Sequence, residues 1–333
     1  MTQVEETLHT RHEKASPETI GHAAAILRAD GLVAFPTETV YGLGADATSD
    51  RAVARIYAAK ARPSFNPLIA HVTDLSAARR EGEFSDAAVR LAQAFWPGPL
   101  TLVVPVAARV TVAQLARAGL DSVALRVPDH PVAHALIAAA GRPIVAPSAN
   151  RSGHVSPTSA SHVARDLDGR IDMILDAGPT PVGVESTIVA CLGGAPRLLR
   201  PGGVDREAIE SVLGQGLAAT EAATAPGQPL APGMLASHYA PRARLRLDAR
   251  ELRSDEAGLD FGGRLGTPTG ALILDLSPTR DLTEAAANLF AYLRKLDASG
   301  ATHIAVAAVP SSGLGEAIND RLARAAAPRD IPP

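Results

Sequence analysis

Hydrophobic and polar positions switch between two periods along most of this chain. Behind Ser16-Pro17, a helix-capping residue followed by one suited to the first helical position, Ile20, Ala24 and Leu27 recur at helical spacing. Gly31 ends that segment, and the apolar run Leu32-Val33-Ala34-Phe35 reads as a short buried strand. The alternation continues. Helices are predicted at 50–60, where Val53, Ile56 and Tyr57 share a face, at 85–96, 130–140 and 159–167, and from the Asp205 cap to just before Gly214. Strands are predicted at 68–72, 100–106, 123–127, 144–146, 173–175, 186–190 and 197–199. Such interleaving predicts a layered α/β domain. Several strands follow one another with no helix between them, which predicts a mixed sheet rather than a doubly wound parallel one. Residues 1–15 show no apolar period and read as a frayed tail.

Residues 214–232 carry small residues, Pro and Gly without an apolar face, the composition of a linker. Beyond it the alternation resumes, with strands at 245–247, 271–276 and 303–309. Helices follow at 283–296, with Leu289, Leu293 and Leu296 on one face, and at 315–327. That is a second α/β module of about 90 residues, near the small end of domain size. The chain shows no internal repeat.

Composition narrows the picture. At 333 residues the chain is long for one core and comfortable for two. Only 3% of residues are aromatic, so Ala, Val and Leu must fill most of the interior. A net charge of −3 argues against a nucleic-acid coat or a membrane-surface binder. The one cysteine, Cys191, rules out an intramolecular disulfide framework and a Cys-based zinc site. No run approaches the roughly 20 apolar residues that span a bilayer, and the first 14 residues lack an apolar signal core. A cytoplasmic location is the expectation. The cations are almost all Arg; Lys14, Lys60 and Lys295 are the exceptions, which makes each lysine informative.

Chemistry concentrates in short motifs beside predicted strands, where α/β folds gather ligands. Pro36-Thr37-Glu38-Thr39-Val40-Tyr41-Gly42-Leu43-Gly44 offers hydroxyls and close backbone approach, or an ordinary polar turn. Lys60-Ala61-Arg62-Pro63-Ser64-Phe65-Asn66-Pro67-Leu68 can aim two cations at a polyphosphate. The same residues also suit a basic helix end that complements the dipole. His71 follows on the next strand, where a lone histidine is more often structural. Pro147-Ser148-Ala149-Asn150-Arg151-Ser152-Gly153 supplies hydroxyl and amide groups, or a plain loop. Val184-Glu185-Ser186-Thr187-Ile188-Val189, Leu199-Arg200-Pro201-Gly202 and Leu125-Arg126-Val127-Pro128 put polar groups or arginines at strand ends. None is a Walker A loop, a dinucleotide fingerprint or a zinc-protease helix. Residue chemistry alone therefore reaches an anion-binding α/β domain for a phosphorylated ligand.

Taken in order, these motifs resemble the YrdC-type threonylcarbamoyl-adenylate synthases over about residues 15–211. Ala231-Pro232-Gly233-Met234-Leu235-Ala236-Ser237-His238-Tyr239-Ala240-Pro241 resembles the linker mark of the long, two-domain form. Ala231 stands where many members have Ser, so no hydroxyl acts there. The resemblance implies a YrdC-like mixed, twisted open sheet with flanking helices (15–211), a linker folding over the active site (212–243), and a smaller Rossmann-like α/β domain (244–333). It implies a nucleotidyltransferase that joins L-threonine, bicarbonate or CO2, and ATP into threonylcarbamoyl-AMP, releasing pyrophosphate. The product feeds threonylcarbamoyl-adenosine modification of tRNA. By resemblance Lys60 and Arg62 are catalytic and hold phosphates, and Asn66, Ser148, Asn150, Arg200, His238 and Tyr239 bind ATP. Thr37, Tyr41, His71, Arg126 and Ser186 hold threonine and its carbamate, with Arg126 on the carboxylate. Mg2+ is expected on the ATP oxygens and water, with no protein side chain as ligand. The product passes to the tRNA threonylcarbamoyl-transfer machinery. The alternative is a non-enzymatic RNA-binding YrdC-like module, which the net charge and the lack of basic runs disfavour.

Overall fold

The computed structural model describes residues 8–218, 229–232, 238–266 and 271–328. Ten strands form one sheet: β1 (Arg11–Lys14), β2 (Val33–Pro36), β3 (Tyr41–Asp46), β4 (Ile69–His71), β5 (Leu100–Pro105), β6 (Ser122–Arg126), β7 (Ile144–Val145), β8 (Met173–Asp176), β9 (Thr187–Ala190) and β10 (Arg197–Arg200). Their order is β1-β8-β2-β3-β7-β4-β6-β5-β9-β10. β1, β8 and β2 run parallel, β3 and β7 reverse, and β4 with β6 and β5 with β9 are again parallel pairs. The sheet is mixed, as the strand spacing in the sequence implies.

Helices α1 (Pro17–Arg28) and α5 (Pro131–Ala140) pack on one face, against Val33, Phe35, Ile144 and Met173. Helices α2 (Asp50–Lys60), α3 (Leu75–Glu81), α4 (Asp86–Phe95), α6 (Ala160–Leu167) and α7 (Arg206–Leu213) cover the other, against Ala34, Leu43, Ala70 and Leu125. The two-residue period of the strands makes this division: Val33 and Phe35 face one way, Ala34 the other. On the α1–α5 side the strands further along carry a patch of Ile69, Val103, Ala124, Ile188 and Leu199. Leu230 and Ala231 cover that patch, and no helix residue contributes to it among the described residues. The cleft described below opens beside it.

A second sheet, β11 (Arg244–Ala249), β12 (Glu256–Asp260), β13 (Ile273–Asp275) and β14 (His303–Ala307), is ordered β11-β14-β12-β13 and entirely parallel. Helices α8 (Leu282–Ala298) and α9 (Leu314–Ala326) pack with it. Leu289, Phe290, Leu293 and Leu296 of α8 are fully buried; each such side chain contributes about 1.5–3 kcal/mol at most. This second core does not end at its own elements: Val40, Val155, Val184 and Tyr239 belong to it.

The structure corrects the sequence reading at four places. Arg11–Lys14 is an edge strand, not part of a frayed tail. All four side chains are exposed, so no apolar period marked it; Thr10 anchors it by donating from Oγ1 to Ile171 O at 2.7 Å. Tyr41–Asp46 is a full strand pairing antiparallel with β2, where a polar turn was one reading. Its glycines hide it, because Gly lowers strand propensity. They are needed there: a Cβ on Gly44 would meet the Phe35 ring at 2.7 Å. The short helix α3 and the strand β12 were not anticipated at all. Of the linker, residues 219–228 and 233–237 lie outside the described residues, as do residues 1–7 of the expected tail.

Candidate active site

Local structure aims each cation. Ser49 caps α2 by accepting from Ala52 N at 3.2 Å, and the buried face Val53, Ile56 and Tyr57 fixes the helix on the sheet. Lys60 ends it; Ala61, left-handed at φ 51°, turns the chain so that Arg62 points back toward the sheet. Arg126 and Arg200 close β6 and β10. His71 shares its strand face with Ile69 because the two are two residues apart.

These groups meet at one cleft, lined among others by Thr39, Arg62, Ile69, His71, Arg126, Ser148, Glu185, Ser186, Arg200, Pro232, His238 and Tyr239. Lys60 stands just behind: Nζ donates to Ser148 O at 2.5 Å and to Asn150 O, which pins the loop after β7. Arg62 Nη2 donates to Pro67 O at 3.2 Å. Arg200 Nη2 donates to Ser186 O at 2.8 Å and to Ser186 Oγ at 3.2 Å, and Thr101 shares the Ser186 hydroxyl at 2.7 Å. Arg126 Nη2 donates to Glu38 Oε1 at 2.6 Å, a pair only 5% and 7% exposed.

Lys60, Arg62, Arg126 and Arg200 are buried around this cleft against two carboxylates, Glu38 and Glu185. Burial and the neighbouring Arg62 push the Lys60 ammonium well below its ordinary value. Burial likewise lowers Arg62 to about 10 and depresses Arg200. Each shift reports a cation that lacks enough negative charge nearby. Burial, with Arg126 adding to it, lowers His71 to about 3; burial lowers His238 to about 3 as well, so both imidazoles are neutral near pH 7.

Buried polar atoms around the cleft lack partners: Glu38 Oε2, Arg62 Nε, Asn66 Oδ1, Asn150 Oδ1 and His238 Nδ1. Folded chains satisfy nearly all such atoms, so a cluster of exceptions marks where another molecule supplies the missing bonds. The excess positive charge says that this molecule is anionic. The enclosed void is about 40 Å3, well under the roughly 300 Å3 of a typical ligand pocket. A large ligand therefore needs the cleft to open wider than it stands here. A larger groove of about 1080 Å3, lined by Arg79, Arg80, Arg109 and Arg142, lies elsewhere and holds none of the strand-end motifs.

Most residues expected from the sequence converge. Lys60, Arg62, His71, Arg126, Ser148, Ser186, Arg200, His238 and Tyr239 line or back the cleft, with Asn66 and Asn150 one layer behind. Tyr41 does not join them. Its buried hydroxyl donates to Gly178 O at 2.7 Å, on the far side of β2 toward β8. Thr37 spends its hydroxyl on the turn, donating to Val40 O at 2.7 Å, and Thr39 is the threonine that lines the cleft. Glu38 and Glu185 were missed as site residues although both lie inside the motifs quoted. Arg321, which pairs with Glu185, carried no sequence signal. The described residues offer no group of three His, Cys, Asp or Glu that could hold a metal. Glu38 and Glu185 are each committed to an arginine, so these residues do not fit a protein-held Mg2+.

Residues 25–202 match the Sua5/YciO/YrdC family, described as "Telomere recombination", and residues 204–327 match "Threonylcarbamoyl-AMP synthase, C-terminal domain". The threonylcarbamoyl-AMP synthase of Bacillus subtilis is 44% identical over 331 residues, covering 94% of each chain. That of Pyrococcus abyssi is 42% identical over 328 residues, covering 93% of this chain and 94% of its own. The crystal structure of P. abyssi Sua5 complexed with L-threonine superposes with a TM-score of 0.85 at 38% identity, covering 96% of this chain and 97% of that one. Two matching segments that span the cleft and the second sheet, and relatives aligned nearly end to end, show that this chain belongs to the Sua5/YciO/YrdC family of threonylcarbamoyl-AMP synthases.

Proposed function

We propose that this chain condenses L-threonine, bicarbonate and MgATP into L-threonylcarbamoyl-AMP, releasing pyrophosphate. The observation that carries the reading is the surplus of buried cations over carboxylates at one cleft, beside buried polar atoms that lack partners. In the reaction the threonine amine and bicarbonate give a carbamate and water. A carbamate oxygen then forms a bond to the α-phosphorus of ATP while the α-phosphorus bond to the bridging oxygen breaks, and pyrophosphate leaves with that electron pair.

Such a step needs positioning and charge neutralisation more than an acid or base. Lys60 and Arg62 hold the phosphates and offset charge on the leaving pyrophosphate. Arg200, Ser148 and Asn150 hold the nucleotide, with His238 and Tyr239 over it. Arg126 takes the threonine carboxylate, and His71, being neutral, adds no charge that would repel the ammonium. Ser186 and Thr39 hold the carbamate. Mg2+ enters as part of the substrate, on ATP oxygens and water. No helix among the described residues is long and apolar enough to cross a membrane. We place the activity in the cytoplasm, where its product passes to enzymes that modify tRNA.

The test is pyrophosphate release with each substrate omitted in turn. The reading requires that release depend on both threonine and bicarbonate. Release indifferent to threonine contradicts it, and RNA binding without turnover would favour a non-enzymatic module instead.

A further inference from the structure

Glu185 presents a problem for an anion-binding cleft. It is a buried carboxylate on the cleft wall, next to Ser186 and close to Arg200. Burial pulls its pKa up, but Arg321, Arg200 and the Ser156 hydroxyl outweigh that and leave it below the ordinary value, hence ionised. Alone, it would repel a triphosphate.

Its partner comes from outside the ten-stranded sheet. Arg321 of α9 is fully buried and donates from Nε to Glu185 Oε2 at 2.9 Å, while Ser156 Oγ donates to Glu185 Oε1 at 2.5 Å. The same guanidinium lies over the Tyr239 ring, 5.3 Å from its centroid. Tyr239 stacks on Phe290 of α8 from another side, at 5.6 Å and 26°. The preceding residue joins in: His238 N donates to Arg324 O at 3.3 Å. Tyr239 holds a left-handed backbone, φ 61°, which a non-glycine residue adopts only when its surroundings fix it. The two cleft-covering residues thus rest on α8 and α9 rather than on the sheet that carries the cations.

We propose that Arg321 is a positioning residue for the cleft: it neutralises Glu185 and seats Tyr239, so that the nucleotide pocket is electrostatically complete only with the second α/β unit docked. This rests on the reading of the cleft as an ATP site. The second unit then has a defined task in the reaction, although none of its side chains need touch the reacting atoms.

The test is ATP affinity by calorimetry, with kcat and KM measured beside it, for wild type, R321M, E185Q and R321M/E185Q. R321M exposes ATP to one uncompensated charge and weakens binding about tenfold or more. Glu185→Gln removes that charge, so the double variant binds ATP within about threefold of wild type. A merely structural role predicts the reverse, since the double variant has lost both polar partners. R321M binding ATP like wild type, or a double variant no better than R321M, overturns the proposal. Should R321M fail to fold, R321Q serves, since it also removes the charge but keeps a polar side chain: it weakens ATP binding in the wild-type background and leaves the E185Q background nearly unchanged, and equal effects in both overturn the proposal. Wild type that binds no ATP sinks the nucleotide reading instead. Wild type that binds ATP but makes no product sinks the synthase reading and leaves the Arg321 comparison valid.

Discussion

Replacing Arg126 by Met separates two roles that the structure assigns to one side chain. Arg126 Nη2 lies 2.6 Å from Glu38 Oε1, and both side chains are more than nine-tenths buried. Removing one partner of a buried ion pair leaves the other charged and unsolvated, at a cost of about 3–5 kcal/mol. Among the described residues Arg126 is the cation that pairs with Glu38, whose Oε2 already lacks a partner. With an m-value of about 3 kcal/mol per molar, R126M should lower the urea midpoint by about 1–1.7 M. The double variant R126M/E38Q removes both charges and should recover most of that loss. Threonine binding should behave differently. Charge-assisted hydrogen bonds to a carboxylate contribute about 1.5–3 kcal/mol, so both variants should weaken threonine by about 10- to 150-fold. Urea titrations and threonine KM for the three proteins decide the matter. Recovery of threonine affinity together with stability would refute the assignment of Arg126 to the carboxylate, and an unchanged R126M midpoint would refute the charge argument.

Three further outcomes follow from the same structure. Gly183 has φ 78°, and a Cβ there would sit 2.3 Å from Ala286 O and 2.4 Å from Ala287 Cα of α8. G183A should therefore cost about 3 kcal/mol or more by thermal melting, whereas G178A, at φ 85° with open space around it, should cost about 1–2. Glu256 is held at about 2, chiefly by its hydrogen bond from Arg246, against an ordinary value of 4.5. Its folded pKa is depressed, so its stabilisation is whole above about pH 4.5 and lost as pH falls through 2; the stability gap between wild type and E256Q should shrink over that window. His71 and His238, lowered to about 3 by burial, take no proton in the folded state until far below 6.5. The unfolded chain does bind those protons, so stability should fall as pH drops from about 6.5, and H71Q should flatten that decline in urea titrations at stepped pH.

Where burial imposes a period, the sequence is legible. Ser16 and Asp205 cap helices as their types require, and α2 spans the range its apolar face marks. The strand-end motifs led to the cleft because α/β geometry puts strand ends where ligands sit. The rest fails for physical reasons. β1 has no buried side chain, so backbone pairing holds it with no apolar period to mark it. β3 is written with glycines because neighbours press on its backbone. Tyr41 and Thr37 look like ligand contacts but spend their hydroxyls on Gly178 and Val40. Arg321 was invisible because it stands among many surface arginines of the second unit, and only tertiary packing tells it from them. The second unit's role could not be read for the same reason: its contribution lies in contacts made across 136 residues of chain, not in a motif.

The central claim is that the cleft joins threonine, bicarbonate and ATP. The direct measurement is incubation of the purified chain with MgATP, 13C-bicarbonate and L-threonine, followed by chromatography with mass detection. The account predicts an adenylate that carries the threonine mass and the 13C label, formed together with pyrophosphate and absent when threonine is left out. ATP binding without a labelled adenylate under those conditions would contradict it.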